Sequence, residues 1–378
     1  MRFLHTSDWH LGKTLCHADL LDDQAHALEQ LASMLQDTRA EALVVAGDVY
    51  DRAVPPREAV ALLDQFLHRL AMDLRIPVLM IAGNHDSPER LGFASRFLAS
   101  HGLHVAGPLA PEPEPVLLGG TAFHLLPYAD PAVGRQALDE PSLRNHQDLL
   151  ATQLARAWAR HPRTCRFVAV AHAFVTGGLV SESELGLGVG GAGQVDPALF
   201  AGCDYVALGH LHRPQDAGGP AVRYAGSLLK YSASEASHVK AATLVELPEQ
   251  GPVRTEPLPF TPRRDLRRLR GAFADLMAGV PGNREDYLFL ELLEDGPVLD
   301  AMARLRQVYP NLLGLQPAAP LGAEAGEAVE RVGPDPRDLD PERLFEAFFH
   351  QSTSRVLAEE ERALFREAAA RAHEEATA

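Results

Sequence analysis

Short, nearly continuous apolar runs recur along the first 245 residues of the chain and indicate buried strands. Four of them are EALVVAGD (41–48), PVLMIAGN (77–84), RFVAVAH (166–172) and DYVALGH (204–210). Runs without polar alternation are typical of strands that are covered on both faces. The N-terminal RFLHTSD predicts one more strand of this kind.

Between the first of these strands, apolar residues recur at helical spacing. Residues 22–38 place Ala25, Leu28, Leu31, Ala32 and Leu35 on one face, and residues 57–72 repeat the pattern after Pro56. A proline suits the first turn of a helix, and a single apolar stripe suits a helix packed on a sheet. Strands that alternate with helices predict an α/β fold of layered sheet and helices.

The pattern changes after about residue 250. The proline-rich segment 248–264 predicts a linker or an edge segment. A small α+β module is predicted next, with a basic helix near 265–278, a strand at 286–294, a helix near 297–308 and a strand at 312–317. A loop rich in glycine, alanine and proline then leads to a helical tail. The chain thus divides into residues 1–250, 260–320 and 335–378.

Composition narrows the class of protein. With 46% hydrophobic and 23% charged residues the chain is typical of a globular protein. Its three cysteines have no CxxC spacing, and neither a signal peptide nor a membrane span is evident, so we expect a cytoplasmic protein. The net charge of −16 argues, taken alone, against a polyanionic partner.

Polar side chains that can bind metal follow each predicted strand. They are Asp8 and His10, Asp48, Asn84 and His85, His172, and finally His210 and His212. The carboxyl ends of the strands are where α/β folds place their sites. A single aspartate there is more often a turn or helix cap, and a single histidine more often a core residue. It is harder to explain in this way why metal-binding residue types follow all five predicted strands.

The donors indicate the kind of site. Without His85 there are seven carboxylate, amide and imidazole donors, which is too many for one tetrahedral ion and suits two ions that share a bridging group. Oxygen and nitrogen donors without sulfur favour manganese, iron or zinc. Two divalent cations outweigh two carboxylates, so a phosphodiester is attracted locally even to an acidic protein.

Other segments leave alternatives open. The glycine-rich stretch 186–194 is not placed between a strand and a helix as a dinucleotide fingerprint would be, and we interpret it as a flexible loop. The arginines of 261–270 predict either a DNA-contacting helix or an ordinary solvated helix face. The apolar patches of 340–376 predict helices that bind a groove of a partner, with packing on the chain's own body as the alternative.

The motifs DWH, GDVYD, GNHD, AHAFVTGG and GHLH resemble those of the calcineurin-type metallophosphoesterases. The longer stretches LHTSDWHLGK, AGDVYDRAVPP, AGNHDSPERL and YAGSLLKYSASEA resemble the SbcD group of Mre-type nucleases within that family. The resemblance implies a four-layered sandwich with a dinuclear centre, a small α+β capping domain that contacts DNA, and a helical tail. Ala233 departs from the pattern, because an aromatic residue is common there.

The resemblance also implies roles for the site residues. Asp8, His10, Asp48 and His212 would hold one ion, and Asp48, Asn84, His172 and His210 the other, with Asp48 bridging. His85 would contact the scissile phosphate and either protonate the leaving 3′ oxygen or stabilise its charge. Asp51 would orient His85 or line the DNA path, with a cap of the next helix as the alternative.

The implied activity is Mn²⁺-dependent hydrolysis of double-stranded DNA, as a 3′ to 5′ exonuclease on duplex ends and an endonuclease on hairpins. The implied partners are the SMC-like ATPase SbcC, bound by the tail, and a second copy of the chain, bound by helices near 57–72 and 89–99. Two other hypotheses stay open: a phosphoesterase for small nucleotides, and a metal-free scaffold that kept the fold as a binding surface.

Overall fold

The computed structural model describes residues 1–184, 193–294, 298–317, 358–359, 361–362 and 364–366. Within these ranges the strands are β1 (Arg2–Thr6), β2 (Thr14–Leu15), β3 (Ala18–Asp19), β4 (Leu43–Val45), β5 (Val78–Ile81), β6 (Leu103–Ala106), β7 (Val116–Leu118), β8 (Thr121–Leu126), β9 (Arg166–His172), β10 (Phe174–Val175), β11 (Gln194–Val195), β12 (Tyr205–Gly209), β13 (Gln215–Asp216), β14 (Val222–Tyr224), β15 (Ala241–Glu246), β16 (Arg254–Pro259), β17 (Leu266–Gly271), β18 (Tyr287–Leu292) and β19 (Leu312–Pro317). The α-helices are α1 (Leu21–Asp37), α2 (Arg57–His68), α3 (Pro88–Leu91), α4 (Ser95–Leu98), α5 (Pro131–Ala137), α6 (His146–Ala159), α7 (Phe273–Ala278) and α8 (Ala301–Arg306).

Two six-stranded mixed sheets form the body. The first sheet has the order β16-β15-β1-β4-β5-β6, and the second has the order β13-β14-β12-β9-β8-β7. In the first sheet β1, β4, β5 and β6 are parallel, and in the second β14, β12, β9 and β8 are parallel. Because parallel strands end at the same edge, each sheet presents its polar strand ends together.

The layers follow from the apolar clusters. One cluster lies between the two sheets and includes Val44 and Ile81 from the first sheet and Val168 from the second. The outer face of the first sheet packs on α1 and α2, and the outer face of the second packs on α6. The strands of the middle layers are thus covered on both faces, as their continuous apolar runs predict.

The predicted strands of the body are present, and so are its predicted helices. The segment 248–264 contains the edge strand β16, which pairs antiparallel with β15, so the edge alternative is correct. An edge strand tolerates prolines because its outer main-chain groups face solvent and need no partner strand.

The small module, residues 266–317, differs from the prediction in one element. The basic segment predicted as a helix near 265–278 forms strand β17, parallel to β18, and only then the short helix α7. β18 also pairs with β19, so the module is a three-stranded parallel sheet that packs on α7 and α8. The helix prediction was wrong because residues 266–271 pair with β18, and this pairing outweighs the helical spacing of their apolar residues.

The arginines of this segment contact acids. The ion pairs are Arg263 with Asp22, Arg264 with Asp23, Arg267 with Asp286 and Arg268 with Glu291. The segment is a strand and not a helix, and the side chains of Arg263 and Arg268 stay 53% and 43% exposed in these pairs. The contact with DNA stays a prediction.

Three other predictions are not tested by the described residues. The glycine-rich stretch lies largely in residues 185–192, and the tail in residues 335–378; both fall almost wholly outside the described residues. The domain boundaries also stay a prediction. In the described part, no helix has the length and apolarity needed to cross a bilayer. All three cysteines are free.

Asp23, in α1, joins the small module to the body. Its carboxylate is buried, accepts from Arg264 Nε at 3.0 Å and accepts from the Tyr287 hydroxyl at 2.9 Å. Asp23→Ala leaves two polar groups without this partner, so we expect a loss of about 3 kcal/mol in the free energy of unfolding. Urea denaturation measures it. Asp22→Ala is the matched control, because its pair with Arg263 is largely exposed and should contribute little.

Candidate metal centre

The strand ends of the two sheets converge on one buried cluster. β1, β4 and β5 are followed by Asp8 and His10, by Asp48, and by Asn84; β9 ends at His172, and β12 is followed by His210 and His212. Asn84 is half-buried, and the other six side chains are buried. The distances between these side chains show that all seven predicted ligands come together in this cluster.

The main chain is bent at four of these positions. Asp8, His10 and Asp48 have φ of 51°, 45° and 50°, and His210 has φ of 110°. Residues with a Cβ atom rarely adopt this region, and such strain concentrates at functional sites. The amide of Asp8 donates to Gly47 O at 3.0 Å, and that of His10 donates to Asp48 O at 3.0 Å. These two hydrogen bonds hold the bend after β1 and the bend after β4 in a fixed relative position.

Gln24, the buried neighbour of Asp23 in α1, holds the loop that follows β1. Its side-chain amide donates to the carbonyl oxygen of His10 at 2.7 Å, and its Oε1 atom accepts from the amide of Gly12 at 3.0 Å. Because Gln24 is fully buried, these bonds face no competition from water. The position of His10 therefore depends on α1.

The donors on one side of the cluster are Asp8, His10 and His212. The Nε2 atoms of the two histidines lie 3.1 Å apart. One ligand atom from each of the three residues lies within 4.8 Å of the other two. This group therefore has the spacing of a metal site.

The donors on the other side converge on Asn84. Its Oδ1 atom lies 2.9 Å from His172 Nε2 and 3.1 Å from His210 Nδ1. The other nitrogen of His172, Nδ1, is 2.9 Å from the carbonyl oxygen of Ala46. A carbonyl at that distance keeps the proton on Nδ1 and leaves the Nε2 lone pair for a metal.

Asp48 lies between the two sides. Its Oδ2 atom is 3.7 Å from His10 Nε2 and 3.4 Å from His172 Nε2, and its Oδ1 atom accepts from the amide of His85 at 2.9 Å. One carboxylate oxygen thus faces imidazoles of both groups. This position is the one that a bridging ligand needs.

The electrostatics favour neutral imidazoles at His210 and His212 and a charged carboxylate at Asp48. Burial lowers the pKa of His210 and of His212 to about 3, so both can offer a lone pair. Burial also opposes a proton on His172, but Asp48 and Asp8 outweigh it and raise the pKa of His172 to about 9. Burial disfavours the Asp48 carboxylate, yet His172 and His10 hold its pKa well below the usual range. The carboxylates therefore draw positive charge into the cluster.

The donor set fits a pair of divalent ions. Two nitrogen ligands about 2.1 Å from one ion and at right angles to each other lie about 3 Å apart, which is the separation of His10 Nε2 and His212 Nε2. Oxygen and nitrogen donors without sulfur suit zinc, iron or manganese. The buried His and Asp groups are consistent with a binuclear metal site, and they do not identify the metal.

His85 lies beside the cluster and is half-buried. Its ring centroid is 4.7 Å from that of His10, and its Nδ1 atom is 2.8 Å from the carbonyl oxygen of Asp51. Asp51 therefore contacts His85 through its main chain, while its carboxylate accepts from Lys13 Nζ at 2.7 Å. The alternative that Asp51 caps the next helix is wrong, because Pro56 is the N-cap residue of α2.

Gly83 allows Asp48 to approach the strand end after β5. A Cβ atom at this position would overlap the side chain and main chain of Asp48. We expect Gly83→Ala to displace the carboxylate and weaken metal binding about 10- to 100-fold, as measured by titration with Mn²⁺. Gly271→Ala is the control, because a Cβ atom there meets only Leu276 at van der Waals distance. Equal affinity of the two variants would contradict this prediction.

The sequence does not reveal the role of four polar residues around His212: Ser183, Glu184, Glu235 and Lys240. The last three are buried, and Ser183 is half-buried. Nothing in the spacing of SESEL or SEASHVK distinguishes them from exposed polar residues. A charged pair five residues apart would have been a weak signal at most.

Profiles of two known families match the chain. Calcineurin-like phosphoesterase covers residues 1–214, and the family described as Type 5 capsule protein repressor C-terminal domain covers residues 262–353. The solved structure of Yfce, a phosphoesterase from E. coli, aligns with a TM-score of 0.27 at 16% identity. That alignment covers 65% of this chain and 88% of Yfce.

One curated relative extends over nearly the whole chain. It is the SbcD subunit of the nuclease SbcCD from Staphylococcus epidermidis, which is 30% identical over 361 residues, 95% of either chain. The cluster at the strand ends lies within residues 1–214, which match the calcineurin-like phosphoesterase family. The chain therefore belongs to the calcineurin-like phosphoesterases and, within them, to the SbcD family of nuclease subunits.

Proposed function

We propose that the chain hydrolyses double-stranded DNA with two Mn²⁺ ions, as a 3′ to 5′ exonuclease on duplex ends and an endonuclease on hairpins. The observation that carries the proposal is the position of Asp48, whose Oδ2 atom faces imidazoles of both donor groups. A carboxylate placed in this way can bridge two ions.

In this proposal each ion has four protein ligands. Asp8, His10, Asp48 and His212 hold one ion, and Asp48, Asn84, His172 and His210 hold the other. When bound, the ions polarise the phosphodiester and activate the attacking water. The chain holds these donors in place through the strained strand ends and through Gln24, so little reorganisation is needed on binding.

His85 is the proposed catalytic residue. The carbonyl of Asp51 fixes its Nδ1 atom, so Nε2 is the nitrogen that can exchange a proton with the substrate. We propose that it contacts the scissile phosphate and protonates the leaving 3′ oxygen. Such proton transfer contributes typically 10²- to 10⁴-fold to the rate.

The proposed partners are DNA, the ATPase SbcC and a second copy of the chain. The name of the Staphylococcus relative describes it as part of SbcCD, and the proposed contact to SbcC is the tail, residues 335–378. Exposed apolar side chains on or next to α2 and α4 support the homodimer, because Phe93 and Phe97 are 79% and 69% exposed. Val60 and Met72 are also exposed there.

Cleavage of end-labelled DNA tests the proposed function. We expect the chain with SbcC, ATP and Mn²⁺ to shorten linear duplex from its 3′ ends and to open hairpins. Metal analysis of the purified chain should find two ions. Cleavage of cyclic nucleotides without cleavage of duplex would favour a small-nucleotide phosphoesterase, and a chain without bound metal or activity would favour a scaffold.

A further inference from the structure

A buried polar network lies behind His212, on the side away from His10. Glu235 and Lys240, from the segment between β14 and β15, form its ion pair and are 0% and 5% exposed. Charged side chains are seldom buried so completely, and a buried pair is often no more stabilising than apolar residues of the same size. Stability alone therefore gives no reason for this pair to lie here.

Lys240 has all three of its donors occupied. Its Nζ atom donates to Glu235 Oε2 at 2.5 Å, to the carbonyl oxygen of His212 at 2.7 Å and to Ser227 Oγ at 2.9 Å. The ammonium group thus holds the main chain of His212 as well as its own counterion.

Glu235 faces the imidazole of His212. Its Oε1 atom accepts from Ser183 Oγ at 2.7 Å and lies 3.3 Å from His212 Nδ1. Ser183 Oγ is itself 2.9 Å from that nitrogen. Since the Ser183 proton goes to Glu235, the hydroxyl oxygen is left to accept from His212 Nδ1.

This arrangement determines the tautomer of His212. A proton on Nδ1 leaves the lone pair on Nε2, which is the atom 3.1 Å from His10 Nε2. The amide of His212 is also held, because it donates to Glu184 Oε1 at 2.5 Å. The amide, the carbonyl and the imidazole of His212 are therefore each fixed by this network.

We propose that Glu235, supported by Lys240 and relayed by Ser183, is a positioning residue that holds His212 in the tautomer and orientation that bind the ion shared with Asp8 and His10. This inference rests on the proposed two-metal function. Partners that orient a ligating histidine typically change metal affinity 10- to 100-fold.

The test compares two double variants that both remove the buried charges. Glu235→Leu with Lys240→Met removes the acceptor for Ser183 and His212. Glu235→Gln with Lys240→Met keeps an amide oxygen that can accept in its place. Calorimetric titration with Mn²⁺ gives the number of ions and their affinities, and circular dichroism gives the melting temperature.

We expect the leucine variant to bind one ion as the wild type does and the other about 10- to 100-fold more weakly. The glutamine variant keeps the acceptor but lacks the Lys240 ammonium group, so it should bind that ion more tightly than the leucine variant and more weakly than the wild type. Two ions bound equally well by the leucine variant would overturn the inference and leave the two-metal proposal intact. A wild type that binds fewer than two ions would overturn both.

Ser183→Ala decides the question if the leucine variant does not fold. Ser183 is half-buried and uncharged, so its loss leaves the ion pair intact. We expect the same ion to bind several-fold more weakly. Unchanged affinity in this variant would overturn the relay through Ser183 and, with it, the inference.

Discussion

Asp48→Ala is expected to reduce nuclease activity by about a thousandfold or more. Its carboxylate is the proposed ligand of both ions, so its loss weakens two sites at once. A loss of roughly 4 kcal/mol of transition-state stabilisation corresponds to this factor. Initial rates on end-labelled duplex measure the activity, and titration with Mn²⁺ should show weaker binding of both ions.

Asp204→Ala is the matched control. Asp204 precedes β12, accepts from the amide of Phe167 at 2.7 Å and pairs with Arg166, but it lies at the start of the strand and not at the metal-binding end. Its loss should leave the rate and both ions unchanged. An Asp48→Ala variant that keeps more than about a tenth of wild-type activity would refute the bridging role.

His85→Ala is expected to lower kcat by about 10²- to 10⁴-fold while both ions stay bound. The proposed ligands are unchanged in this variant, and the hydrogen bond that it removes goes to the main chain of Asp51. Single-turnover cleavage at saturating Mn²⁺ separates the chemical step from binding. Metal analysis of the same preparation gives the ion content.

His104→Ala serves as the control for His85, because it is another half-buried histidine and lies in the edge strand β6. It should cleave as fast as the wild type. If His85→Ala retained activity, the catalytic role of this residue would be ruled out. If it lost its ions as well, His85 would belong among the structural supports of the centre.

The apolar runs predicted the body of the fold because strands covered on both faces carry their own signal. The same runs located the site, since the polar residues that interrupt them, such as Asp48 and His172, stand where the strands end. Parallel pairing then brings these ends to one edge. Local sequence was therefore enough to predict the strands of the body and the candidate residues at their ends.

Contacts between distant segments account for what the sequence did not predict. Leu266 and Leu269 have helical spacing, yet pairing with β18 makes their segment a strand. Glu235 and Lys240 have the appearance of surface charges, and only the fold buries them behind His212. Asp51 contacts His85 through a carbonyl, which no inspection of side-chain chemistry can reveal.

Two neighbouring residues of α1 connect the small module with the metal centre. Asp23 holds Arg264 and the hydroxyl of Tyr287, and Gln24 holds the carbonyl of His10. The anchor of the three-stranded sheet and the anchor of the loop that carries His10 are thus adjacent residues of one helix. A shift of α1 at this point would move both anchors together.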